Sequence, residues 1–379
     1  MIAESEISLR NLPDGVRVFI RDGSRKRIFD KAVSKAGGLN KLCRLGISTA
    51  GFTDWRNAKQ SKYTKRFVPL SKLRAILKLI ELDEESVQKD VVALKSVGSK
   101  KFISNVSLPI KVDERLVRIL GHLLGDGFAP LNDQGEFKNT EDTLLDRFEK
   151  DLSVFGNVPV KRRRFGVRFP AIVTSILTVF KTDFGTFTGR VPKLIWSLDK
   201  RLAKEFIKAL FDDEATVGDS RIDIRMANLI LLKQLRELLF RVFEGEGLTS
   251  EDISEIKPVP RAFNFRVQGR AFGLFHKEIG FDHPQKMADL EFNIKRVMRP
   301  WKKKRNGETK AFIIKTLEKP HTIKELSRML NVKFDTVFEH LVELEKLNIV
   351  CRPSKTREGK ESAFLWQTSS QSQNEKIKT

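Results

Sequence analysis

Two acidic residues, Asp126 and Glu214, are the strongest candidates for chemistry in this sequence. Each ends an apolar, helix-like segment and is followed by a small residue, in LVRILGHLLGDGF (116–128) and FIKALFDDEATV (206–217). The two acids lie 88 positions apart, and the likeness of the two segments indicates an internal duplication.

The position of these acids indicates a function in metal binding. A carboxylate in the last turn of a helix faces the negative end of the helix dipole, which costs about 0.3–1 kcal/mol at a surface. Small residues at Gly121, Gly125 and Ala209 permit two helices to pack closely, so we expect Asp126 and Glu214 to converge about a pseudo-two-fold axis. Two close carboxylates repel unless cations separate them. Mg²⁺ binds through such carboxylates together with phosphates and water, and paired ions support phosphodiester cleavage.

The segments downstream of the two acids repeat as well. RRRFGVRF (162–169) and AFNFRV (262–267) are typical of strands with exposed basic residues. Apolar helical patterns follow at 172–180 and 272–279. Each unit therefore contains a helix, strands and a helix, which predicts a mixed α+β fold.

These segments resemble the paired motifs of the LAGLIDADG homing endonucleases, in their monomeric, two-motif form. The resemblance covers roughly residues 110–298 and rests on LGHLLGDG, ALFDDEATV, RVPKLI (190–195) and IGFDHP (279–284). It implies two αββαββα halves, at about 110–196 and 197–298, whose strands form a saddle over double-stranded DNA. It also implies that Asp126 and Glu214 are both the catalytic residues and the ligands of Mg²⁺ or Mn²⁺.

Two positions depart from the family pattern. Ala215 stands where the second motif usually has glycine, and the family's basic residue near each metal site, commonly lysine, has no lysine here. That residue aligns with Arg168 or Pro170 in the first half and with Arg266 or Gln268 in the second. The retained acids favour a site-specific, Mg²⁺-dependent endonuclease. The missing lysines favour the alternative, a non-cleaving transcriptional regulator on the same scaffold.

Other charged residues of the core have simpler interpretations. Asp212 and Asp213 are predicted to be a solvated helix end, with a supporting role beside Glu214 as the alternative. His122 is predicted to be packed in the core. Basic residues beside or within the strands are predicted to contact phosphates, with a solvated turn as the alternative for the first four: Lys161, Arg162, Arg163, Arg164, Arg168 and Arg266.

The first hundred residues resemble the repressor-type helix-turn-helix family over roughly 30–92. A short helical pattern at 39–45 is followed by a tight turn and by a second helix at 50–59, with Ser48 or Thr49 as its N-cap. We expect a small all-α DNA-binding domain at 1–100. Its candidate DNA-contacting residues are Arg56, Lys59 and Lys62.

The C-terminal segment resembles a winged helix over 310–367. Helical patterns are followed by two strand-like runs, at 349–352 and 363–366, and Thr322 and Glu325 have the spacing of a capping box. A basic linker at 299–309 precedes this domain. Residues 368–379 are predicted to be a disordered tail.

Composition and charge limit the class of protein. The 379 residues carry a net charge of +22, with +10 in 1–100, +5 in 101–301 and +7 in 302–379. Basic ends around a nearly balanced middle favour double-stranded DNA as the partner, with RNA less favoured because no RNA-specific module is evident. Two distant cysteines and the lack of a membrane-spanning run or signal peptide favour a cytoplasmic, nucleoid-associated protein. Since both acids come from one chain, we expect a monomer.

Overall fold

A computed structural model describes residues 6–58, 66–131, 133–298, 308–330, 332, 334–358 and 361–369. The chain divides into two units, one formed by residues 1–216 and 223–287 and the other by 217–222 and 288–379. The fold is α+β, as expected. Among the described residues, no helix is long and apolar enough to cross a membrane.

The N-terminal segment of the first unit mixes helices and strands. Its elements are β1 (Glu6–Ile7), β2 (Val16–Ile20), α1 (Asp22–Ala36), α2 (Thr49–Arg56), β3 (Val68–Pro69), α3 (Leu70–Leu79), α4 (Glu85–Gln88), β4 (Val91–Ser96), β5 (Ile103–Ser104) and β6 (Ile110–Lys111). The expectation of an all-α domain is therefore wrong. The segments VRVFI and VVALKS are short, mostly buried and rich in β-branched residues, and they pair at the centre of a sheet ordered β3-β2-β4-β5.

The two helical segments predicted near residue 45 are both present, in different forms. Residues 39–45 form a 3₁₀ helix, not an α-helix, which ends at Gly46 with a left-handed φ of 66°. The second forms as α2, and its N-cap is Ser48, whose hydroxyl accepts a hydrogen bond from the backbone N–H of Gly51 at 3.1 Å.

The centre of the chain repeats one order of elements. The first half contains α5 (Glu114–Leu124), β7 (Gly127–Phe128), β8 (Gly135–Lys138), α6 (Asp142–Asp151), β9 (Lys161–Arg163), β10 (Gly166–Phe169) and α7 (Ala171–Leu177). After α8 (Lys193–Ser197), the second half contains α9 (Lys200–Glu214), β11 (Ala215–Val217), β12 (Arg221–Met226), α10 (Leu229–Val242), β13 (Lys257–Val259), β14 (Ala262–Gln268) and α11 (Gly269–Glu278). Both halves are αββαββα. Their sheets have matching orders, β7-β8-β10-β9 and β11-β12-β14-β13.

The helices α5 and α9 pack with their backbones close together. A Cβ atom at Gly121 of α5 would lie 2.7 Å from the carbonyl oxygen of Phe206 and 2.8 Å from Cβ of Ala209, both on α9. The small residues are therefore required by the contact, as predicted. Asp113 and Asp199 cap the two helices at their N-termini by accepting backbone N–H groups.

A buried ion pair also joins these helices to α6. The Arg118 guanidinium of α5 donates to both carboxylate oxygens of Asp151 on α6, at 2.8 Å each, and to Glu205 of α9 at 2.7 Å. Both Arg118 and Asp151 have side chains less than 10% exposed. Three elements are thus joined by one cation at the N-terminal side of the helix pair.

The remaining elements are α12 (Pro284–Met298), α13 (Glu308–Thr316), α14 (Ile323–Leu330), α15 (Phe334–Lys346), β15 (Val350–Glu358) and β16 (Glu361–Thr368). The order of three helices and two antiparallel strands after residue 308 agrees with the prediction, although the strands are longer than predicted. The capping box is present, because the Glu325 N–H donates to Thr322 Oγ1 at 3.2 Å and the Thr322 N–H donates to Glu325 Oε2 at 2.7 Å. Most of the predicted linker and tail lies outside the described residues.

Candidate functional site

The C-terminal ends of α5 and α9 meet at the two motif acids. Glu214 is the last residue of α9, and Asp126 follows α5 by two positions. The backbone N–H of Asp126 hydrogen-bonds the carboxylate of Asp213, the residue before Glu214. A Cβ atom at Gly125 would lie 2.6 Å from Oδ2 of Asp213. The two half-buried acids therefore lie at one end of the helix pair, as the duplication predicts.

Asp213 lies at the centre of a buried polar network between the halves. Its Oδ2 is 3.0 Å from Nδ1 of His122 on α5, and its Oδ1 accepts from the side-chain amide of Asn139 at 3.2 Å. The side chains of Asp213 and His122 are fully buried. The prediction of a solvated helix end is therefore wrong for Asp213, because its partners come from the other half. His122 is packed in the core as predicted, with its ring centroid 4.7 Å from that of Phe137.

Burial governs the protonation of this network. It raises the pKa of Asp213 well above its usual range, and the negative charge of Asp126 raises it further. Burial also lowers the pKa of His122 to about 4. His122 is therefore neutral at pH 7 and adds no positive charge beside the two motif acids.

Asp212 and Lys286 cap each other's helices. The Asp212 carboxylate accepts the backbone N–H groups of Asp282 and His283, which precede α12, at 3.0 and 2.9 Å. In return, the Lys286 ammonium of α12 donates to the backbone carbonyl oxygen of Asp212 at 2.6 Å, at the C-terminal end of α9. Burial raises the pKa of Asp212 to about 7, and the hydrogen bond from His283 partly offsets this. The solvated position predicted for Asp212 is also wrong, since its side chain lies in this contact.

Lys286 is a functional candidate that the sequence did not single out. Burial lowers its pKa, while the negative charges of Asp213, Asp212, Asp126 and Glu214 oppose this. The ammonium therefore lies within electrostatic reach of both motif acids. Lys286 follows the IGFDHP segment by two positions, and that segment was the one available signal for it.

The residues at the helix ends fit a hard divalent cation. Asp126 and Glu214 supply two half-buried carboxylates, which is the usual protein share of a Mg²⁺ site whose other ligands are phosphates and water. Within the part of the chain that the structure describes, no group of three or more His, Cys, Asp and Glu side chains has metal-binding geometry. A cation here would thus take its remaining ligands from water and from a phosphate-bearing partner.

The first sheet separates the predicted basic residues onto two faces. One row of paired residues crosses β7, β8, β10 and β9, formed by Phe128, Glu136, Arg168 and Lys161. Arg163 lies two residues after Lys161 on β9, so its side chain is on the same face of the sheet. This face is exposed at Lys161 and Arg163 and half-buried at Arg168. Arg164 is exposed in the turn after β9, with its guanidinium 4.9 Å from the ring centroid of Phe165.

Arg162 lies on the opposite face of that sheet. Its row contains the buried residues Phe137 and Val167. Its guanidinium forms ion pairs with Asp142 at 3.0 Å and Asp146 at 2.9 Å, both on α6. Alternation along a strand therefore removes Arg162 from the surface shared by Lys161 and Arg163.

Each sheet carries an arginine paired with a carboxylate at corresponding strands. Arg168 Nε of β10 is 3.0 Å from Glu136 Oε1 of β8, and Arg266 Nε of β14 is 3.0 Å from Asp223 Oδ1 of β12. These arginines occupy one of the two alternatives for the family's basic position in each half. Each of these arginines is therefore paired with a carboxylate on the neighbouring strand of its sheet.

The N-terminal candidates are only partly described. Arg56 Nε, in the last turn of α2, is 2.5 Å from Asp30 Oδ1 of α1, and the arginine is exposed by more than a third. Lys59 and Lys62 lie outside the described residues.

Comparisons with known proteins show distant similarity. No family model matches the chain. It is 23% identical over 296 residues to the glutamine–fructose-6-phosphate aminotransferase (isomerizing) of Methanocaldococcus jannaschii, which is 68% of this chain and 26% of that protein. It is also 23% identical over 279 residues to the DNA polymerase II large subunit of Thermococcus kodakarensis, which is 65% of this chain and 15% of that protein. The chain thus spans about a quarter or less of the length of either relative.

Two solved structures show weak similarity to the fold. Full-length DUF199/WhiA from Thermatoga maritima matches 62% of this chain and 90% of its own, with 12% identity and a TM-score of 0.34. The I-DmoI structure in complex with DNA and Mn matches 44% of this chain and 96% of its own, with 14% identity and a TM-score of 0.32.

Proposed function

We propose that this protein binds double-stranded DNA and cleaves it at specific sites with Mg²⁺ or Mn²⁺, as a monomer. The observation that carries the proposal is the meeting of Asp126 and Glu214 at one end of two closely packed, duplicated helices. One chain supplies both carboxylates, and each comes from an equivalent place in its half. Two metal ions held there would act on the two strands of one duplex at related positions.

The exposed faces of the two sheets supply the DNA-binding surface in this proposal. The first sheet presents Lys161, Arg163 and Arg168, and the second presents Arg225 and Arg266. Basic side chains on strands that follow directly from the motif helices would hold phosphates near the acids. The net charge of +10 in residues 1–100 and +7 in 302–379 would add sequence-independent affinity from both ends of the chain.

The two acids and the residues around them have different functions in the proposed cleavage. Asp126 and Glu214 would hold the cations, and a bound divalent ion supplies charge stabilisation and an acidified water molecule. Asp213, through His122 and Asn139, fixes the end of α9 against α5. Lys286 holds the same helix end from the side of α12. These buried contacts keep the two carboxylates in place before DNA arrives.

The sequence relatives support a self-contained unit. An aminotransferase and a DNA polymerase subunit have different named activities, yet each is similar to about two thirds of this chain. Similarity to parts of two proteins with such different names favours a function that is independent of either named activity. A site-specific DNA cleaver with its own catalytic acids is consistent with that separation.

A second candidate, a DNA-binding regulator without cleavage activity, is favoured by one observation. Lys286 already places a positive charge beside Asp126 and Glu214, and the basic positions of the sheets carry arginines held by carboxylates instead of lysines. A centre neutralised from within would tolerate the loss of metal.

A cleavage experiment separates these candidates. Wild type and the Asp126→Asn/Glu214→Gln double variant are incubated with fragmented genomic DNA, with and without Mg²⁺, and new DNA ends are sequenced. Discrete ends from wild type alone support the endonuclease. Bound but uncut DNA from both proteins would establish the regulator instead.

A further inference from the structure

An arginine is paired with a carboxylate at corresponding strands of both halves, on the exposed side of each sheet. Arg168 Nε of β10 lies 3.0 Å from Glu136 Oε1 of β8, and Arg266 Nε of β14 lies 3.0 Å from Asp223 Oδ1 of β12. In the sheet orders β7-β8-β10-β9 and β11-β12-β14-β13, the two carboxylates lie on the second strand and the two arginines on the third. The pairs therefore occupy corresponding places in the duplicated fold.

Stability does not account for the repetition of this pair. Ion pairs between partly exposed side chains contribute little to folding. In each pair the carboxylate is the less exposed partner, with 12% against 36% exposure in the first half and 26% against 46% in the second. A carboxylate on a surface that binds phosphates weakens phosphate binding. Its presence at corresponding strands of both halves therefore indicates a function other than binding phosphates.

Base recognition gives such a pair a function. In the major groove, arginine donates two hydrogen bonds to O6 and N7 of guanine, and a carboxylate accepts one from the N4 amino group of cytosine. In each pair the guanidinium nitrogen nearest the carboxylate is Nε, at the stem of the side chain, and Arg266 Nε donates a hydrogen bond to Asp223 Oδ1. Glu136 also lies 4.0 Å from Arg163 Nη1. A contact through Nε leaves the edge formed by Nη1 and Nη2 to meet a guanine.

We infer that Glu136 with Arg168, and Asp223 with Arg266, each read a G·C base pair, one in each half of the DNA site. The inference rests on the proposed DNA binding and adds which bases are recognised and by which residues. The carboxylate holds the guanidinium in one orientation and accepts from cytosine, while the arginine donates to guanine. The target then contains two G·C pairs at positions related by the pseudo-two-fold axis of the protein.

Selection from a random duplex library tests this inference. Full-length wild type, Glu136→Gln, Asp223→Asn and the control Arg162→Gln are each used to select bound duplexes in Ca²⁺, and the selected DNA is sequenced. Arg162 is the matched control, because it lies on a neighbouring row but faces α6. Wild type should enrich G·C at two symmetry-related positions. Each carboxylate variant should lose roughly tenfold discrimination at one of them, and Arg162→Gln should retain both.

Two results would overturn the inference while leaving the proposed function standing. In one, wild type selects a defined site but the carboxylate variants keep every base preference and bind all duplexes more tightly, so that the acids act on phosphates alone. In the other, the selected site lacks G·C at either position. If wild type selects no duplex at all, the proposed DNA binding itself is wrong, and this inference falls with it.

Discussion

Oδ2 of Asp213 on α9 lies 3.0 Å from Nδ1 of His122 on α5, and both side chains are fully buried. With the 88-residue offset between the motifs, the position equivalent to Asp213 in the first half is Gly125, and the position equivalent to His122 in the second half is Leu210. The pair therefore breaks the internal symmetry and can form in only one direction between the halves. Gly125 leaves room for it, since a Cβ atom there would clash with Asp213.

Close packing of the motif helices predicts intolerance to a single added methyl group. Gly121→Ala should lower the free energy of unfolding by about 1–3 kcal/mol, because its Cβ would lie 2.7 Å from a backbone oxygen of the facing helix. Urea denaturation measures the change. Gly273→Ala in α11 is the matched control, since no neighbouring atom lies within 4 Å of its Cβ position. The control should be neutral or up to about 1 kcal/mol more stable, and equal losses in both variants would contradict the packing argument.

The buried His122 predicts a pH-dependent part of stability. Its pKa is about 4 in the folded protein and about 6.5 when unfolded, so between these values the unfolded state binds more protons. Stability from this residue is present above pH 6.5 and is lost as the pH falls towards 4, by up to about 3 kcal/mol. Asp212 and Asp213, with raised pKa values, contribute slopes of the opposite sign.

The difference between wild type and His122→Gln isolates this contribution. Denaturation at a series of pH values from 4.5 to 7.5 should show that the stability gap between the two proteins shrinks as the pH falls. A gap that stays constant over this range would mean that His122 does not resist protonation in the folded state.

The buried ion pair of Arg118 predicts a large cost for removing its partner. Asp151→Ala removes the carboxylate that accepts two hydrogen bonds from the buried Arg118 guanidinium. The expected loss is about 3–5 kcal/mol in the free energy of unfolding. Asp142→Ala removes an exposed partner of Arg162 and should cost at most about 1 kcal/mol. Thermal or urea denaturation compares the two. Similar costs for both variants would show that Arg118 is less dependent on Asp151 than its burial implies.

Lys286 predicts an effect on metal binding that is separable from cleavage. Lys286→Met removes a positive charge beside Asp126 and Glu214, so Mn²⁺ should bind several-fold more tightly in the absence of DNA. Spectroscopic titration of Mn²⁺ measures the affinity. Lys277→Met is the control, because that side chain is largely exposed and pairs with Glu278. Weaker Mn²⁺ binding in Lys286→Met would mean that the lysine organises the acids more than it competes with cations.

The duplicated core could be predicted from sequence because its signals are local. Each motif is a short, mostly apolar helix pattern that ends in an acid, and its repetition predicts two halves, while the resemblance to the LAGLIDADG endonucleases implies their αββαββα order of elements. The N-terminal sheet is not predictable from local patterns, because its central strands β2 and β4 pair across more than 70 positions, with the helical patterns around residue 45 between them.

The protonation and contacts of the site depended on partners that are distant in sequence. A carboxylate at a helix end is ordinarily solvated, but Asp213 meets His122 from 91 positions away. Lys286 reaches Asp212 across 74 positions. The position of Arg162 differs in kind, since alternation along a strand is local and already places it on the opposite face from Lys161 and Arg163.

Cleavage by matched variants tests the central claim most directly. Wild type, Asp126→Asn and Glu214→Gln are compared on a duplex carrying the selected site, with Mg²⁺ or with Ca²⁺, while binding and strand cutting are both measured. We expect wild type to cut both strands in Mg²⁺, and each variant to retain DNA binding but lose cutting. If the variants cut as well as wild type, or if wild type binds its site tightly and never cuts it, Asp126 and Glu214 are not the catalytic pair.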